Sequence, residues 1–292
     1  MQTLGRMAGV LVWAMFAGTF VAAQTGTTAN TGIAPQHIET RDELLAKLNA
    51  DQKKQFDDAT KAFGEQKYGG DALSAFKVLL AALPDDSVLS KFASEAALNS
   101  GDNEYAVKAL KKVAAANPDD WQAAALLTRA YAQSGDTKER DAGIAQMMEL
   151  KQKGLVPQRV RDYVVEQMKL GDKTLTIRTS LTPWGQFHVY AIGELTDNNG
   201  QRLFRVALES DDIDQASFRK EHPDEAAKGL RRFSLDGYQD SAPNDQGQRT
   251  TTHSTYKFLD KQPTYAETRE EFLKIAQGQT KAFNSTQGQV KQ

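Results

Sequence analysis

From residue 51 to residue 156 the apolar positions recur with helical spacing, and beyond Gly171 they alternate with a period of two. Phe56, Ala59, Thr60 and Phe63 stand at i, i+3, i+4 and i+7, the buried stripe of an amphipathic helix. A second helix carries Ala72, Phe76, Leu79 and Leu80 and stops before Pro84, which cannot continue it. The pattern then repeats. Phe92, Ala93, Ala96 and Ala97 mark a third helix, and Ala106, Leu110 and Val113 a fourth that stops at Pro118. Ala124, Leu127, Thr128 and Tyr131 mark a fifth; after a Gly135-Asp136 turn, Ala142, Ile144, Met147 and Met148 mark a sixth. The punctuation keeps one period. Pro84-Asp85-Asp86 returns as Pro118-Asp119-Asp120, Ser100-Gly101-Asp102 returns as Ser134-Gly135-Asp136, and Ala72 returns as Ala106, each 34 residues on.

Helix pairs at a 34-residue period resemble the tetratricopeptide repeat family, over about residues 51–156. The family's glycine at the eighth position of each unit is replaced by Thr60, Ser94 and Thr128, which are still small enough for helices to cross closely. The third unit reads as carrying two extra residues around Thr137 to Arg140. Arrays of this kind need capped ends. Arg41 to Ala50, with Leu44, Leu45 and Leu48, is the expected first cap; Pro157 to Leu170, with Val160, Tyr163, Val164 and Met168, is the expected last one, a helix stopped by Gly171. The resemblance implies a binding function, with the first helix of each unit lining a groove for a peptide or an extended protein segment. On this register the groove residues are Lys54, Asp57, Lys61 and Glu65 in unit one, Lys91, Glu95 and Asn99 in unit two, and Gln122, Arg129 and Gln133 in unit three. Their signs are mixed, so the expected ligand is polar or charge-patterned. The alternative reading is a solvated helix face.

The second half changes texture. Thr174 to Arg178, Phe187 to Leu195, Leu203 to Leu208 and Thr250 to Leu259 read as about four strands. Along the second, Phe187, Val189, Ala191 and Leu195 share one face, with His188, Tyr190 and Ile192 on the other. Asn198-Asn199-Gly200 reads as a hairpin turn, because Asn and Gly tolerate positive φ. Thr264 and Glu267 have capping-box spacing and open a helix through Phe272, Leu273, Ile275 and Ala276 to Gly278. Residues 211–248, with Asp236-Gly237, read as an irregular polar insertion. The expected fold is therefore α+β in two domains: a tetratricopeptide-like helical array over 39–170, then a small antiparallel sheet with a C-terminal helix over 171–278.

The ends add a destination. Arg6 followed by the apolar run Met7 to Val21 and the small residues Val21-Ala22-Ala23 reads as a secretory signal peptide cleaved after Ala23. The run is short for a bilayer span, which predicts a soluble periplasmic or secreted product. Residues 24–38 and 279–292 bury little and read as a flexible leader and a disordered tail. A net charge of −2 supplies no basic field, which disfavours nucleic acid and anionic lipid as partners. The chain has no cysteine, so disulfides, thiolate nucleophiles and Cys-bound zinc are excluded.

Candidate chemistry is sparse. His188 and His253 fall in strands and, with Glu209, Asp211 or Asp212, are the residue types a metal would use, but no known ligand spacing occurs. Ser-x-x-Lys occurs at Ser74–Lys77, Ser217–Lys220 and Ser254–Lys257, without the partner motifs of penicillin-binding enzymes. Trp184 and Tyr190 could stack on a sugar or close an apolar pocket. The reading is a non-enzymatic, exported interaction protein without cofactor or metal, which holds a protein segment in the helical groove. The alternative is a small-ligand or glycan-binding envelope protein acting through the β-domain.

Overall fold

The structure, a computed structural model, describes residues 36–181, 188–210, 233–241, 249–259, 261–282 and 284–290. The signal segment, the leader up to residue 35, Trp184, Phe187, Asp211, Asp212, the Ser217–Lys220 motif and His222 lie outside them. The chain divides into two compact units, at Gln158/Arg159.

In the first unit a short helix α1 (Arg41–Lys47) precedes α2 (Ala50–Gly64). A π-helical turn (Tyr68–Leu73) leads into α3 (Ser74–Ala82). Two regular hairpins follow: α4 (Ser87–Ser100) with α5 (Asn103–Ala116), and α6 (Trp121–Ser134) with α7 (Thr137–Gln152). The repeated Asp residues explain the period. Asp86, Asp102, Asp120 and Asp136 each cap the N-terminus of the following helix, their side chains accepting backbone N–H bonds. Gly101 and Gly135 end α4 and α6 in the left-handed conformation, φ 88° and 77°. The expected first cap is present: Leu44 and Leu48 are buried with Phe56, Phe76 and Phe92 in one core. Phe56 meets Phe92 edge-on at 5.3 Å, and Phe76 stacks on Phe92 at 5.5 Å.

The third unit departs from the expected two-residue insertion. Its second helix begins in register, Thr137 standing 34 residues after Asn103, but its buried set is displaced. Met147 and Leu150 of α7 take the places of Leu110 and Val113 of α5, 37 residues on, so α7 packs nearly one turn further along. The close approach has moved with it. Gly143 faces Thr128: a Cβ at 143 would lie 2.3 Å from Thr128 Oγ1 and 3.1 Å from its Cβ. Thr128 is fully buried and its hydroxyl donates to Ala124 O, so it has nowhere to turn. Where the family places a glycine in the first helix, this unit places it in the second. Gly143→Ala is expected to lower stability by about 1–3 kcal/mol through overpacking. Thr128→Ala in the same chain removes the nearest atom and should return most of that loss in a chemical melt. Loss of equal size in both variants would contradict the crossing.

The second unit is a seven-stranded antiparallel sheet in sequence order. Its strands are β1 (Asp162–Leu170), β2 (Lys173–Ser180), β3 (His188–Thr196), β4 (Arg202–Ser210), β5 (Phe233–Asp240), β6 (Arg249–Leu259) and β7 (Asn284–Val290). Helix α8 (Tyr265–Ala276) opens with the expected capping box, Thr264 and Glu267. Its Phe272 and Ile275 pack on Leu175, Ile177, Ala191, Leu195, Val206, Leu208 and Leu235, which define the covered face of the sheet.

Three expectations are corrected here. The end-capping helix over Pro157 to Leu170 is the strand β1. Tyr163 and Val165 are fully buried while Val164 is not, and Gly171, φ 65°, turns the chain tightly into β2 instead of stopping a helix. The polar insertion contains β5: Asp236-Gly237 is not a turn but strand interior, and a Cβ on Gly237 would lie 2.5 Å from the Tyr256 ring and 2.7 Å from that of Phe204. The C-terminal stretch is not disordered throughout, because Asn284–Val290 pairs along β6 as an edge strand whose polar sequence suits an exposed edge. The expected alternation along β3 also breaks. A register shift between Val189 and Ala191 turns Tyr190 toward the core, where it meets Phe233 edge-on at 5.4 Å.

Candidate functional site

The ten residues predicted to line the groove divide into two sets. Those of unit one stand in solvent. Lys54 pairs with Asp58 at 2.7 Å, Asp57 lies 3.7 Å from Arg41, Glu65 meets Lys67 at 2.9 Å, and Lys61 is exposed. Those of units two and three are folded into the protein. Every residue of α4 from Val88 to Leu98 is buried, and so is most of α6. Lys91 is 0% exposed; its ammonium donates to Asp120 Oδ2 at 2.7 Å and to Gln122 Oε1 at 3.1 Å. Asp120 uses its other oxygen to cap α6, accepting from Gln122 N and Ala123 N at 3.0 Å. Arg129 donates to Asn99 Oδ1 at 2.6 Å, and Gln133 offers its backbone carbonyl to Asn103 Nδ2. Glu95 is 3% exposed, and burial pushes its carboxyl up to about 7, only partly offset by the Arg129 charge. The polar face read from the sequence is thus an internal network tying α4 to α6, and its members do not offer themselves to a ligand in this form.

A groove opens in the helical unit between α2 and the segment 71–75. Asp51, Lys54, Gln55, Asp58, Ala59, Ala62, Asp71 and Ala75 line a groove of about 420 Å³. Its lining includes three alanines, three aspartates and one lysine. Val78, one turn beyond Ala75, is 58% exposed. Of these residues the sequence pattern marked Lys54 as groove-lining and Ala59 as part of a buried stripe; no spacing rule gathers the others.

In the second unit, the face of the sheet away from α8 carries a polar cluster that the sequence did not assemble. The pairing register sets Arg205, Tyr238 and His253 side by side on β4, β5 and β6, with Ala207, Asp236 and Thr255 in the next row. The Arg205 guanidinium lies 4.4 Å from the Tyr238 ring centre, and that ring stacks on His253 at 5.0 Å and 25°. Tyr238 donates its hydroxyl to both oxygens of Glu209, at 3.0 and 3.1 Å. His253 Nε2 lies 2.9 Å from Asp236 Oδ1, which also accepts from Thr255 at 2.8 Å. Burial raises the Glu209 carboxyl above the ordinary range, and burial beside Glu209 raises the Tyr238 phenol. Of the residues suspected of holding a metal, Glu209 and His253 have other partners, while Asp211, Asp212 and the His188 side chain lie outside the described parts. Among the described residues no group of three or more His, Asp or Glu could hold one.

These arrangements define the class. The first unit is an array of helix pairs at a 34-residue period, the arrangement that resembles a tetratricopeptide array, and an antiparallel sheet unit follows it in the chain. No protein-family model and no curated protein matches the chain. Similar solved structures include the Sgt2 TPR domain from Aspergillus fumigatus, 18% identical over 36% of this chain and 70% of that one, with a TM-score of 0.33. The Yersinia enterocolitica type III secretion translocator chaperone SycD is 18% identical over 36% of this chain and 79% of its own, with a TM-score of 0.33. A chain of the CopN-Scc3 complex is 15% identical over 50% of this chain and 90% of its own, with a TM-score of 0.34.

Proposed function

We propose that this is an exported, non-enzymatic interaction protein whose helical unit holds a segment of a partner protein in the groove between α2 and the segment 71–75. The groove itself carries the reading. Its three alanines, with the exposed Val78 one turn beyond Ala75, offer apolar area to small side chains. Asp51, Asp58 and Asp71 outnumber Lys54 on the rim, and Lys54 is already paired with Asp58, so the segment that fits carries a basic residue. The export part rests on the Met7–Val21 run and the small residues before Gln24.

One capture experiment tests both parts. The full-length chain, tagged at its C-terminus, is expressed in a bacterium and used to capture partners from the envelope fraction. The bait should have the mass of a chain beginning at Gln24. A partner held by the native chain should be lost at least tenfold on Ala62→Arg with Asp71→Lys. Asp71 is exposed but Ala62 is half-buried against the core, so a melt of the variant is run alongside to show that it stays folded. A partner retained equally by that variant removes the groove from the reading, and an uncleaved bait removes the export.

A further inference from the structure

We propose that the α8-free face of the sheet binds a small monocarboxylate through Arg205. Other arginines of this unit are paired with carboxylates. Arg178 meets Asp162 at 3.2 Å, Arg202 meets Asp240, and Arg269 meets Glu166 at 2.7 Å. Arg205 forms no ion pair or hydrogen bond among the described residues, and its Nε is buried without an acceptor. Buried donors without partners are rare in folded proteins, because leaving one unmade forfeits its hydration.

The nearest carboxylates do not remedy this. Both oxygens of Glu209 accept from Tyr238, and Asp236 serves His253 and Thr255. Glu194 stands opposite Arg205 in the pairing register yet forms no ion pair with it. The guanidinium lies instead over the Tyr238 ring, its Cζ 4.4 Å from the centre, and that ring is itself fixed by the stack on His253 and the bond to Glu209. A guanidinium held over a ring with its donors unpaired keeps a fork that matches the two oxygens of a carboxylate. Glu209 and Asp236 set the charge of the ligand. Two acidic groups beside the fork repel a dianion more than a monoanion, which favours a carboxylate over phosphate.

The test is side-chain NMR of the full, isotope-labelled chain, following the arginine Nε–Hε signals while acetate replaces chloride at constant ionic strength. Arg205→Lys identifies its signal by deletion. The expected result is a saturable shift of the Arg205 signal with half-saturation in the millimolar range, the other arginine signals staying in place. Phosphate should be at least fivefold weaker. In Arg205→Lys, which keeps the charge but loses the fork, neighbouring Tyr238 signals should report acetate binding weakened at least tenfold. A shift that never saturates, or that chloride reproduces, overturns the site. So does an Arg205 signal that moves on Glu194→Gln and not with acetate, because the fork would then be closed from within. None of these outcomes bears on the α2 groove, which lies in the other unit.

Discussion

Lys91→Ala is expected to cost the helical unit about 3–5 kcal/mol, the cost of stranding one member of a buried ion pair. The residue left behind is Asp120, 2% exposed, which would keep its cap on α6 but lose the cation that neutralises its second oxygen. The size of the loss can be assigned by a cycle. Lys91→Met keeps the stem volume and still strands Asp120, so it should cost nearly as much. Asp120→Asn keeps a good capping side chain but strands the ammonium. The double variant removes both charges and retains the cap, and it should recover most of the stability lost in either single variant. Urea melts read at 222 nm measure all four chains. A coupling below about 1 kcal/mol would mean that the pair is hydrated like a surface one. This prediction also limits what substitutions can say about binding. A change at Lys91 or Arg129 that abolished partner capture would report the loss of the α4–α6 network, which is why the groove is tested at Ala62 and Asp71.

The repeat was legible because its signals are local. Proline, the Asp caps and the left-handed glycines act within one or two residues of where they stand, and so the 34-residue period survives in the sequence. Thr60, Ser94 and Thr128 were legible for the same reason, and all three are buried at the crossings. What was not legible depends on neighbours distant in the chain. The displacement of α7 leaves the turn signals untouched and shows only in which of its residues meet α6. Lys91 and Glu95 on one helix and Arg129 on the next read as groove-lining or solvated, since polar stripes on helices usually face outward. Here Lys91 meets Asp120 and Arg129 meets Asn99 across α4 and α6, 34 residues apart, and burial accompanies the pairing. In the sheet, β1 satisfies both a helical and a strand template over a run too short to choose between them. The Arg205–Tyr238–His253 row draws on three strands, with Asp236-Gly237 looking like a turn at its centre. No spacing rule joins residues 205, 238 and 253; only the pairing register does.

Glu95→Gln is expected to stabilise the protein in alkaline solution and do little in acid. The carboxyl is enclosed in α4, and burial raises its pKa to about 7 from the ordinary 4.5; Arg129 of α6 is the charge that favours its ionisation, and the Tyr68 phenol feels it from the turn before α3. The folded chain therefore keeps a proton that the unfolded chain releases at lower pH. Between about 4.5 and 7 the folded state binds more protons, so stability falls as pH rises through that window. Above it the ionised carboxylate remains buried at a cost of roughly 3 kcal/mol, the 1.36 kcal/mol per unit summed over the difference. Glutamine has nearly the same shape, still offers an oxygen toward Arg129, and does not titrate. Native and variant chains should thus melt alike near pH 4.5, and the variant should gain steadily until the gap levels off above pH 8. A gap that is constant with pH would show that Glu95 ionises as it does in water. The enclosed face of α4 would then be open to solvent, and the residues predicted from sequence to meet a ligand there would be accessible after all.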